Sequence, residues 1–308
     1  MTSESAFIDM LRALATDPAA RGLADDAAVL EVGGAQLVIT SDTIVAGVHF
    51  LADDPPEDIG WKLAAVNLSD LAAKGARPLA CLMNYALQGD AAWDTAFLAG
   101  LAEALQTHGM PLIGGDTVSL PKGAPGVFTL TAIGEAPASG APARNGAQEG
   151  DVLYVTGTVG DAGLGLALAQ RGIMEPASAI RAYRRPQPRL AEGRELAPIV
   201  HAMMDVSDGV LIDAARMARA SGLALEIALD RLPLSEDVRV SGSDELAIRL
   251  AAATAGDDYQ LLFAASSDVS LPVPAIAIGR FEAGEGISLS HQGRSVPLPS
   301  PLGFLHGL

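Results

Sequence analysis

The 308 residues include 20 basic and 37 acidic side chains, which give a formal net charge of −17, and 49% of the residues are hydrophobic. Such acidity excludes an extended surface for nucleic acids or anionic membranes, since both require clustered Lys and Arg, and a single cysteine, Cys81, excludes an intramolecular disulfide. The acidic start lacks a secretory pattern and no segment approaches the roughly 20 apolar residues of a membrane span, so we expect a soluble, cytoplasmic protein.

The first half of the chain alternates between helical and strand patterns. Apolar spacing predicts an amphipathic helix around residues 7–14 and a longer helix over 58–74. The longer helix has Ile59, Leu63, Val66 and Leu71 on one face and ends at Gly75. The other elements predicted for this half are, in order, a hairpin of 27–30 and 36–40, a strand over 79–87, a helix over 93–108, a short strand at 112–113 that ends in two glycines, and a strand over 127–133.

The best candidate for a domain boundary is the segment 134–150, which is rich in Gly, Pro and Ala and has no periodicity. We therefore predict an N-terminal domain over 1–137 and a C-terminal domain over 138–308. In the second half, residues 181–189 contain two prolines and are predicted to form a loop, and 275–281 to form the last core strand. The other predicted elements are strands at 152–156, 202–204, 223–229 and 260–264, and helices at 164–170, 190–200, 208–220 and 246–253. This alternation indicates the α/β (α+β) class.

Carboxylates beside hydroxyls or glycines recur where apolar segments end or turn. The groups are Asp25-Asp26, Thr40-Ser41-Asp42, Asn67-Leu68-Ser69-Asp70, Gly114-Gly115-Asp116-Thr117 and Asp205-Val206-Ser207-Asp208-Gly209. If these groups meet in space, about six carboxylates converge, and like charges at short range require cations between them. Oxygen-only ligands suit magnesium, which bridges protein carboxylates to substrate phosphates. The pattern therefore predicts a magnesium-dependent enzyme that acts on a phosphorylated substrate.

Several of these groups also have a purely structural explanation. Asp25-Asp26 is typical of a turn, and Ser207 or Asp208 is typical of a helix N-cap, although capping uses one oxygen and leaves the second carboxylate unexplained. The segment 40–42 is a stronger signal, because three oxygen ligands follow one another where a strand is predicted to end. His49 fits a polar substrate contact and a plain surface histidine equally well.

Nucleotide-binding lysine motifs are absent from the sequence. There is no G-x-x-x-x-G-K-[ST] segment, and none of Lys62, Lys74 and Lys122 lies in a P-loop. If the substrate is ATP, its phosphates are therefore expected to be neutralised by metal ions and backbone N–H groups.

Together, these motifs resemble the thiamine-monophosphate kinases, a family of the aminoimidazole-ribotide synthetase superfamily. The similar segments follow the family's order and are 25–29, 40–50, 65–76, 114–117, 205–209 and 256–259. The resemblance implies a two-domain fold like that of the aminoimidazole-ribotide synthetases, with a C-terminal α/β domain. It also implies a homodimer that pairs through the sheets of its N-terminal domains, and an active site between the two domains of a chain.

The reaction that the resemblance implies is direct in-line transfer of the γ-phosphoryl group of ATP to thiamine monophosphate, giving thiamine diphosphate, with several Mg²⁺ ions. By position, the implied catalytic residues are Asp42, Asp70, Asp116, Asp205 and Asp208. The implied magnesium ligands are these five together with Asp26, Thr40 and Ser41. The implied ATP contacts are Gly115, Asp116, Arg144 and Ser207, and the implied contacts to the thiamine phosphate are His49, Asp257 and Phe304.

Three positions depart from the family's pattern. Ala24 replaces a glycine ahead of the first acidic pair, Asp257 replaces a glutamate that is one methylene longer, and Phe304 replaces a Trp or Tyr and lacks its polar group. The alternatives are another ATP-dependent enzyme of the same superfamily with a different phosphorylated acceptor, a phosphatase, and a non-catalytic subunit that binds nucleotide and metal.

Overall fold

A computed structural model describes residues 4–306 of the chain. The elements of the first half are α1 (Glu4–Arg12), β1 (Ala28–Val32), β2 (Ala35–Val45), α2 (Pro56–Ala73), β3 (Arg77–Leu87), α3 (Ala91–His108), β4 (Leu112–Ser119) and β5 (Val127–Glu135). The strands form one sheet in the order β1-β2-β5-β3-β4, in which β3 and β4 are parallel and the other neighbours antiparallel. The hairpin predicted from the sequence is confirmed as β1 and β2, with Val32 paired to Ala35.

The second half forms a sheet of its own. Its elements are β6 (Val152–Thr156), α4 (Asp161–Ala169), α5 (Ala177–Arg184), α6 (Leu190–Leu196), β7 (Ala202–Asp205), α7 (Val210–Ser221), β8 (Ala224–Ala228), α8 (Glu236–Arg239), α9 (Glu245–Thr254), β9 (Leu261–Ala265), β10 (Ala275–Glu282), β11 (Gly286–His291) and β12 (Arg294–Val296). The strand order is β12-β11-β8-β10-β6-β9-β7. The predicted α/β (α+β) class is confirmed. Nowhere between residues 4 and 306 is a helix both long and apolar enough to cross a membrane.

Two predictions for the second half were wrong. The segment 181–189 is not all loop, because α5 continues to Arg184, and the prolines that follow it end the helix instead of preventing it. The strand β10 is not the last, because β11 and β12 follow it. These two strands are short, and their apolar residues are few, namely Ile287 and Leu289 of β11 and Val296 of β12, so they carry little of the apolar pattern by which a strand is recognised.

Helix α2 packs against both halves of the protein. Fourteen of its eighteen residues are buried. Leu63 and Leu68 belong to the core under the first sheet, whereas Ala72 and Ala73 belong to a core that includes Phe263 of β9. The face predicted to be apolar packs in the first core, and another side of α2 meets the second sheet.

A polar cluster around Asp54 fixes the loop after β2 to the second half of the chain. The buried Asp54 carboxylate accepts hydrogen bonds from the Tyr183 hydroxyl and from Arg184 Nε, each at 2.7 Å. It also accepts the N–H of Leu51 at 2.8 Å. Because Tyr183 and Arg184 belong to α5, these bonds hold residues near the end of β2 against the C-terminal half.

The first sheet has one covered face and one open face. Side chains of β2 alternate, so Val38 and Ile44 are buried against α2 while Ser41 and Thr43 are exposed on the other side. Every residue of β4, the outermost strand, is exposed. The covered face lies toward the domain junction, and the open face has no partner within residues 4–306.

Candidate active site

Strand β2 and helix α2 bring the first carboxylates together. The hydroxyl of Thr40 donates a hydrogen bond to Asp70 Oδ2, and its Oγ1 also lies 3.3 Å from the backbone oxygen of Asp26. The side-chain oxygen of Asn67 accepts the N–H of Asp42 at 3.0 Å. Helix α2 therefore fixes β2 at the point where Asp42 projects from the covered face of the sheet.

The second sheet contributes Asp205, the last residue of β7. Its side chain is buried, and its Oδ2 accepts a hydrogen bond from Ser69 Oγ at 2.5 Å. Ser69 and Asp70 are consecutive residues of α2, yet Ser69 contacts the second sheet and Asp70 contacts the first. Asp70 also lies near the C-terminal end of α2, where its charge opposes the helix dipole. A helix needs no carboxylate there, so its position favours a function at the domain junction.

Three of these carboxylates are held where ionisation is unfavourable. Burial, followed by the charges of Asp26 and Asp208, raises the pKa of Asp42 to about 6. Burial, followed by the charge of Asp42, raises the pKa of Asp70 well above its usual range. Burial, followed by the charge of Asp26, likewise raises the pKa of Asp205. Because the charge of one carboxylate raises the pKa of the next, these three side chains lie near one another. We call Asp42, Asp70 and Asp205 the unpaired carboxylates.

Asp25 and Asp26 differ from these three carboxylates because basic side chains of the protein pair with them. Lys74 Nζ, which is fully buried, pairs with Asp25 and lies 2.8 Å from Asp26 Oδ2. Arg21 pairs with Asp25 at 2.7 Å, and Arg144 pairs with the other oxygen of Asp26. Burial alone would raise the pKa of Asp26, but the charges of Lys74 and Arg144 outweigh it and lower this pKa to about 2. We call Asp25 and Asp26 the paired carboxylates.

The turn after β7 holds predicted substrate contacts through its backbone. The carbonyl of Ser207 accepts the N–H of Asp257 at 2.8 Å, and the carbonyl of Asp208 accepts the N–H of Phe304 at 2.9 Å. The Asp208 carboxylate pairs with Arg216 at 2.5 Å. This turn therefore joins the carboxylate group to the loop of Asp257 and to the C-terminal segment.

An aromatic cluster joins His49 of the first half to His306 and Phe304 near the end of the chain. The ring centroids of His49 and His306 are 5.3 Å apart, and those of His306 and Phe304 are 4.9 Å apart. Burial, followed by the charge of His306, lowers the pKa of His49. His49 and Phe304 thus lie in one place, as their predicted shared role requires. His306 was missed from the sequence because it belongs to no motif.

Ser41 lies apart from the carboxylates. Strand β2 continues to Val45, so the prediction that 40–42 marks the end of a strand was wrong. Inside a strand, successive side chains point to opposite faces, and Ser41 Oγ hydrogen-bonds to Thr131 Oγ1 at 2.9 Å on the open face.

Gly115 and Asp116 are also distant from Asp42 within one chain. They lie on β4, which extends beyond the predicted short strand, and Gly115 pairs with Met83 of β3. Across the order β2-β5-β3-β4 this places Gly115 three strand spacings from Asp42, or roughly 14 Å. A Cβ at Gly115 would lie 1.8 Å from the carbonyl oxygen of Met83, so this glycine permits close strand pairing and does not end the strand.

The unpaired carboxylates fit magnesium by their chemistry. Considering residues 4–306, no three acidic, histidine or cysteine side chains are arranged to hold a metal ion by themselves. Magnesium is commonly bound by one or two carboxylates, with water and substrate phosphates completing its shell. The unpaired carboxylates supply hard oxygen donors at a buried position, and none of the three forms an ion pair with a basic side chain of residues 4–306; their raised pKa values are consistent with this.

The chain is similar to known proteins over most of its length. Residues 24–136 match the N-terminal domain of the AIR synthase related proteins, and residues 148–291 match the C-terminal domain. A thiamine-monophosphate kinase from Caulobacter vibrioides is 40% identical over 94% of this chain and 86% of its own length. The chain belongs to the thiamine-monophosphate kinase family. The family and the kinase class predicted from the motifs are thereby confirmed.

Solved structures of the thiamine-monophosphate kinase family share the fold. The structure of AaThiL complexed with AMPPCP and TMP has a TM-score of 0.87 and 30% sequence identity, and the match covers 99% of this chain and 97% of that chain. The thiamine-monophosphate kinase from Stenotrophomonas maltophilia has a TM-score of 0.77 and 38% identity, with coverage of 94% and 96%. The predicted two-domain fold is therefore confirmed, while the boundary at 137 and 138 stays a prediction.

Proposed function

We propose that the chain transfers the γ-phosphoryl group of ATP to the phosphate of thiamine monophosphate, giving thiamine diphosphate and ADP. The observation that carries this proposal is the meeting of the unpaired carboxylates from both halves beside the aromatic cluster of His49 and Phe304. Its substrates are suggested by the relatives, which are named thiamine-monophosphate kinases, and by a family member complexed with AMPPCP and TMP.

Bound magnesium would supply the positive charge that lets two anionic phosphate groups approach each other. The residues of this chain that would hold it are Asp26, Thr40, Asp42, Asp70, Asp205 and Asp208, whereas Ser41 and Asp116, which the resemblance also implies, lie apart from them within one chain. Around them, Asn67 fixes the backbone of Asp42 and Ser69 orients Asp205. An acceptor phosphate is already an anionic nucleophile at neutral pH, so the reaction needs no general base.

The two substrates are proposed to occupy different parts of the junction. Thiamine monophosphate would contact His49, Asp257 and Phe304, which the turn after β7 and the aromatic cluster hold near one another. ATP would contact Gly115, Asp116, Arg144 and Ser207. Arg144 already pairs with Asp26, so it would link the nucleotide to the paired carboxylates.

A homodimer formed through the first sheet is part of the proposal. The outer strand β4 exposes Leu112, Ile113 and Val118, and an exposed edge strand with large apolar residues is a surface that pairs with another chain. Light scattering should give a mass of twice 31.5 kDa for the wild type. A shift toward the monomer in Ile113→Glu would agree with this interface, whereas a monomeric wild type would contradict it.

The reaction is tested by measuring ADP release from magnesium-ATP with and without thiamine monophosphate, with chromatography of the product. ADP release that depends on thiamine monophosphate and yields thiamine diphosphate is expected. Phosphate release without an acceptor would indicate a phosphatase instead. Magnesium-dependent ATP binding without turnover would indicate either a different acceptor or a non-catalytic subunit, and Asp42→Asn would then alter binding alone.

A further inference from the structure

Lys62 is a buried lysine of α2 whose ammonium group lies between three distant segments of the chain. Its side chain is 2% exposed. Nζ donates a hydrogen bond to Asp257 Oδ2 at 2.7 Å and another to the backbone oxygen of His49 at 2.9 Å. It also lies 4.3 Å from the centroid of the Tyr183 ring. One ammonium group therefore contacts the loop after β2, helix α5 and the loop before β9.

Packing alone does not explain a lysine at this position. Burying an ammonium group is unfavourable unless it is paired and hydrogen-bonded, and an apolar side chain of similar length would fill the same space without that cost. The neighbours of Lys62 along α2, Trp61 and Leu63, are apolar and buried. The charge is therefore expected to serve the groups that it contacts.

The main group it contacts is the Asp257 carboxylate, which is held at both oxygens. Oδ2 accepts the hydrogen bond from Lys62, and Oδ1 accepts one from the Tyr259 hydroxyl at 3.0 Å. The backbone of Asp257 has a φ of 69°, a left-handed conformation that a non-glycine residue rarely adopts. Its N–H is bonded to the carbonyl of Ser207. The carboxylate thus has a fixed place and orientation.

We propose that Lys62 is a positioning residue for the phosphate acceptor. It holds the Asp257 carboxylate and the His49 carbonyl in one arrangement across the domain junction, so binding of thiamine monophosphate depends on it and binding of ATP does not. This inference rests on the proposed function, in which His49 and Asp257 contact that substrate. Lys62 acts through these two residues and does not itself contact the phosphate of thiamine monophosphate.

Steady-state kinetics of Lys62→Met test the proposal, with Lys122→Met as the matched control because Lys122 is an exposed loop residue. The KM for thiamine monophosphate should rise about tenfold or more, since loss of a hydrogen bond to a charged group weakens binding by about that factor. The KM for magnesium-ATP should stay within about twofold of the wild type. Lys62→Arg, which keeps the charge, should recover part of the loss.

The outcomes separate this inference from the function on which it rests. A wild type without ADP release dependent on thiamine monophosphate would overturn the proposed function and this inference with it. If the wild type is active, two results for Lys62→Met would overturn the inference alone. One is an unchanged KM for thiamine monophosphate, and the other is an equal rise in the KM values for thiamine monophosphate and magnesium-ATP.

A double variant covers the case in which Lys62→Met does not fold. Lys62→Met combined with Asp257→Asn leaves no unpaired charge buried at the site. If Lys62 acts mainly through Asp257, the KM of the double variant for thiamine monophosphate should exceed that of Asp257→Asn by much less than the effect expected of Lys62→Met, and the remainder comes from the contact with the His49 carbonyl. A further increase equal to the effect expected of Lys62→Met by itself would show that the two residues act independently and would overturn the proposal.

Discussion

The paired and the unpaired carboxylates lie at the same domain junction and consist of the same residue type, yet the pKa of Asp26 in the first group and that of Asp42 in the second shift in opposite directions. Lys74 and Arg144 lower the pKa of Asp26, whereas burial and neighbouring carboxylates raise the pKa of Asp42. Burial penalises both anions, so the difference comes from their charge partners. The fold supplies basic side chains to Asp26 and, among residues 4–306, none to Asp42.

The paired carboxylates therefore already have their counter-charges once the chain folds. Lys74 Nζ also donates a hydrogen bond to the carbonyl of Met203 at 3.1 Å, and Arg21 donates to the carbonyls of Ala141 and Pro142 at 2.9 and 3.0 Å. These contacts tie α2 and the N-terminal segment to the beginning of the second half. Changing this group should affect stability first, and changing the unpaired group should affect activity first.

The largest effect is expected from Lys74→Met. It removes the cation between two buried carboxylates, and loss of one partner of a buried ion pair costs about 3–5 kcal/mol. Urea unfolding followed by tryptophan fluorescence measures the change in the free energy of unfolding. Lys122→Met should change it by less than about 0.5 kcal/mol. A loss below about 1 kcal/mol in Lys74→Met would show that the pairing of Asp25 and Asp26 does not depend on this lysine.

Asp42→Asn should have the converse effect. We expect kcat/KM to fall about 10²–10³-fold, which corresponds to about 3–4 kcal/mol of lost transition-state stabilisation. The free energy of unfolding should be unchanged or slightly higher, because the substitution removes an unfavourable buried anion. Asp53→Asn, at an exposed position, is the control. Full activity in Asp42→Asn would remove this residue from the site.

Asp42 and Asp26 should also make the free energy of unfolding change with pH in opposite directions in metal-free buffer. The folded pKa of Asp42, about 6, lies above its ordinary value of 3.8, so the folded state binds the extra proton and stability falls as pH rises through this range. The folded pKa of Asp26, about 2, lies below 3.8, so its contribution is present above pH 3.8 and is lost as pH falls toward 2.

Urea unfolding between pH 3.8 and 6 in the presence of EDTA measures the Asp42 contribution. The wild type should lose about 1–3 kcal/mol of stability across this interval relative to Asp42→Asn, in which the slope disappears. Identical slopes in the two proteins would mean that Asp42 titrates at its ordinary pKa and that the carboxylates do not converge.

The smallest effect is expected from magnesium without nucleotide. At a concentration tenfold above its dissociation constant, an ion that binds only the folded state adds about 1.4 kcal/mol to the free energy of unfolding. Thermal unfolding with MgCl₂, compared with NaCl at equal ionic strength, should show this stabilisation in the wild type and lose it in Asp42→Asn. Equal stabilisation of both proteins would place the ion elsewhere.

The sequence was sufficient to predict the fold class, the family and the convergence of Asp26, Thr40, Asp42, Asp70 and Asp205. Their residue types and their positions beside apolar segments carry that information locally. The face of the sheet on which each side chain lies could not be predicted in the same way. Consecutive residues of one strand point to opposite faces, so the motif 40–42 divides between the junction and the open face once β2 extends past it.

The basic side chains could not be interpreted from the sequence. Lys74 and Lys62 were noted only because they lie in no P-loop, and neither forms its ion pair with a residue nearby in the chain. Lys62 and Asp257 are 195 positions apart, so their contact exists only in the folded protein. Likewise, the second apolar side of α2 had no explanation until the second sheet was present.

Ser69 and Asp70 bond to different sheets, and this limits how the two domains can be separated or exchanged. These neighbours on one rigid helix bond to different sheets, so neither half completes the carboxylate group without the other. An excised first half would keep Asp70 beside Thr40 but would lose Asp205 and expose Ala72 and Ala73. The two domains are therefore not interchangeable modules. In a chimera, a foreign second half must provide contacts for Ser69, Ala72 and Ala73 at their spacing along α2.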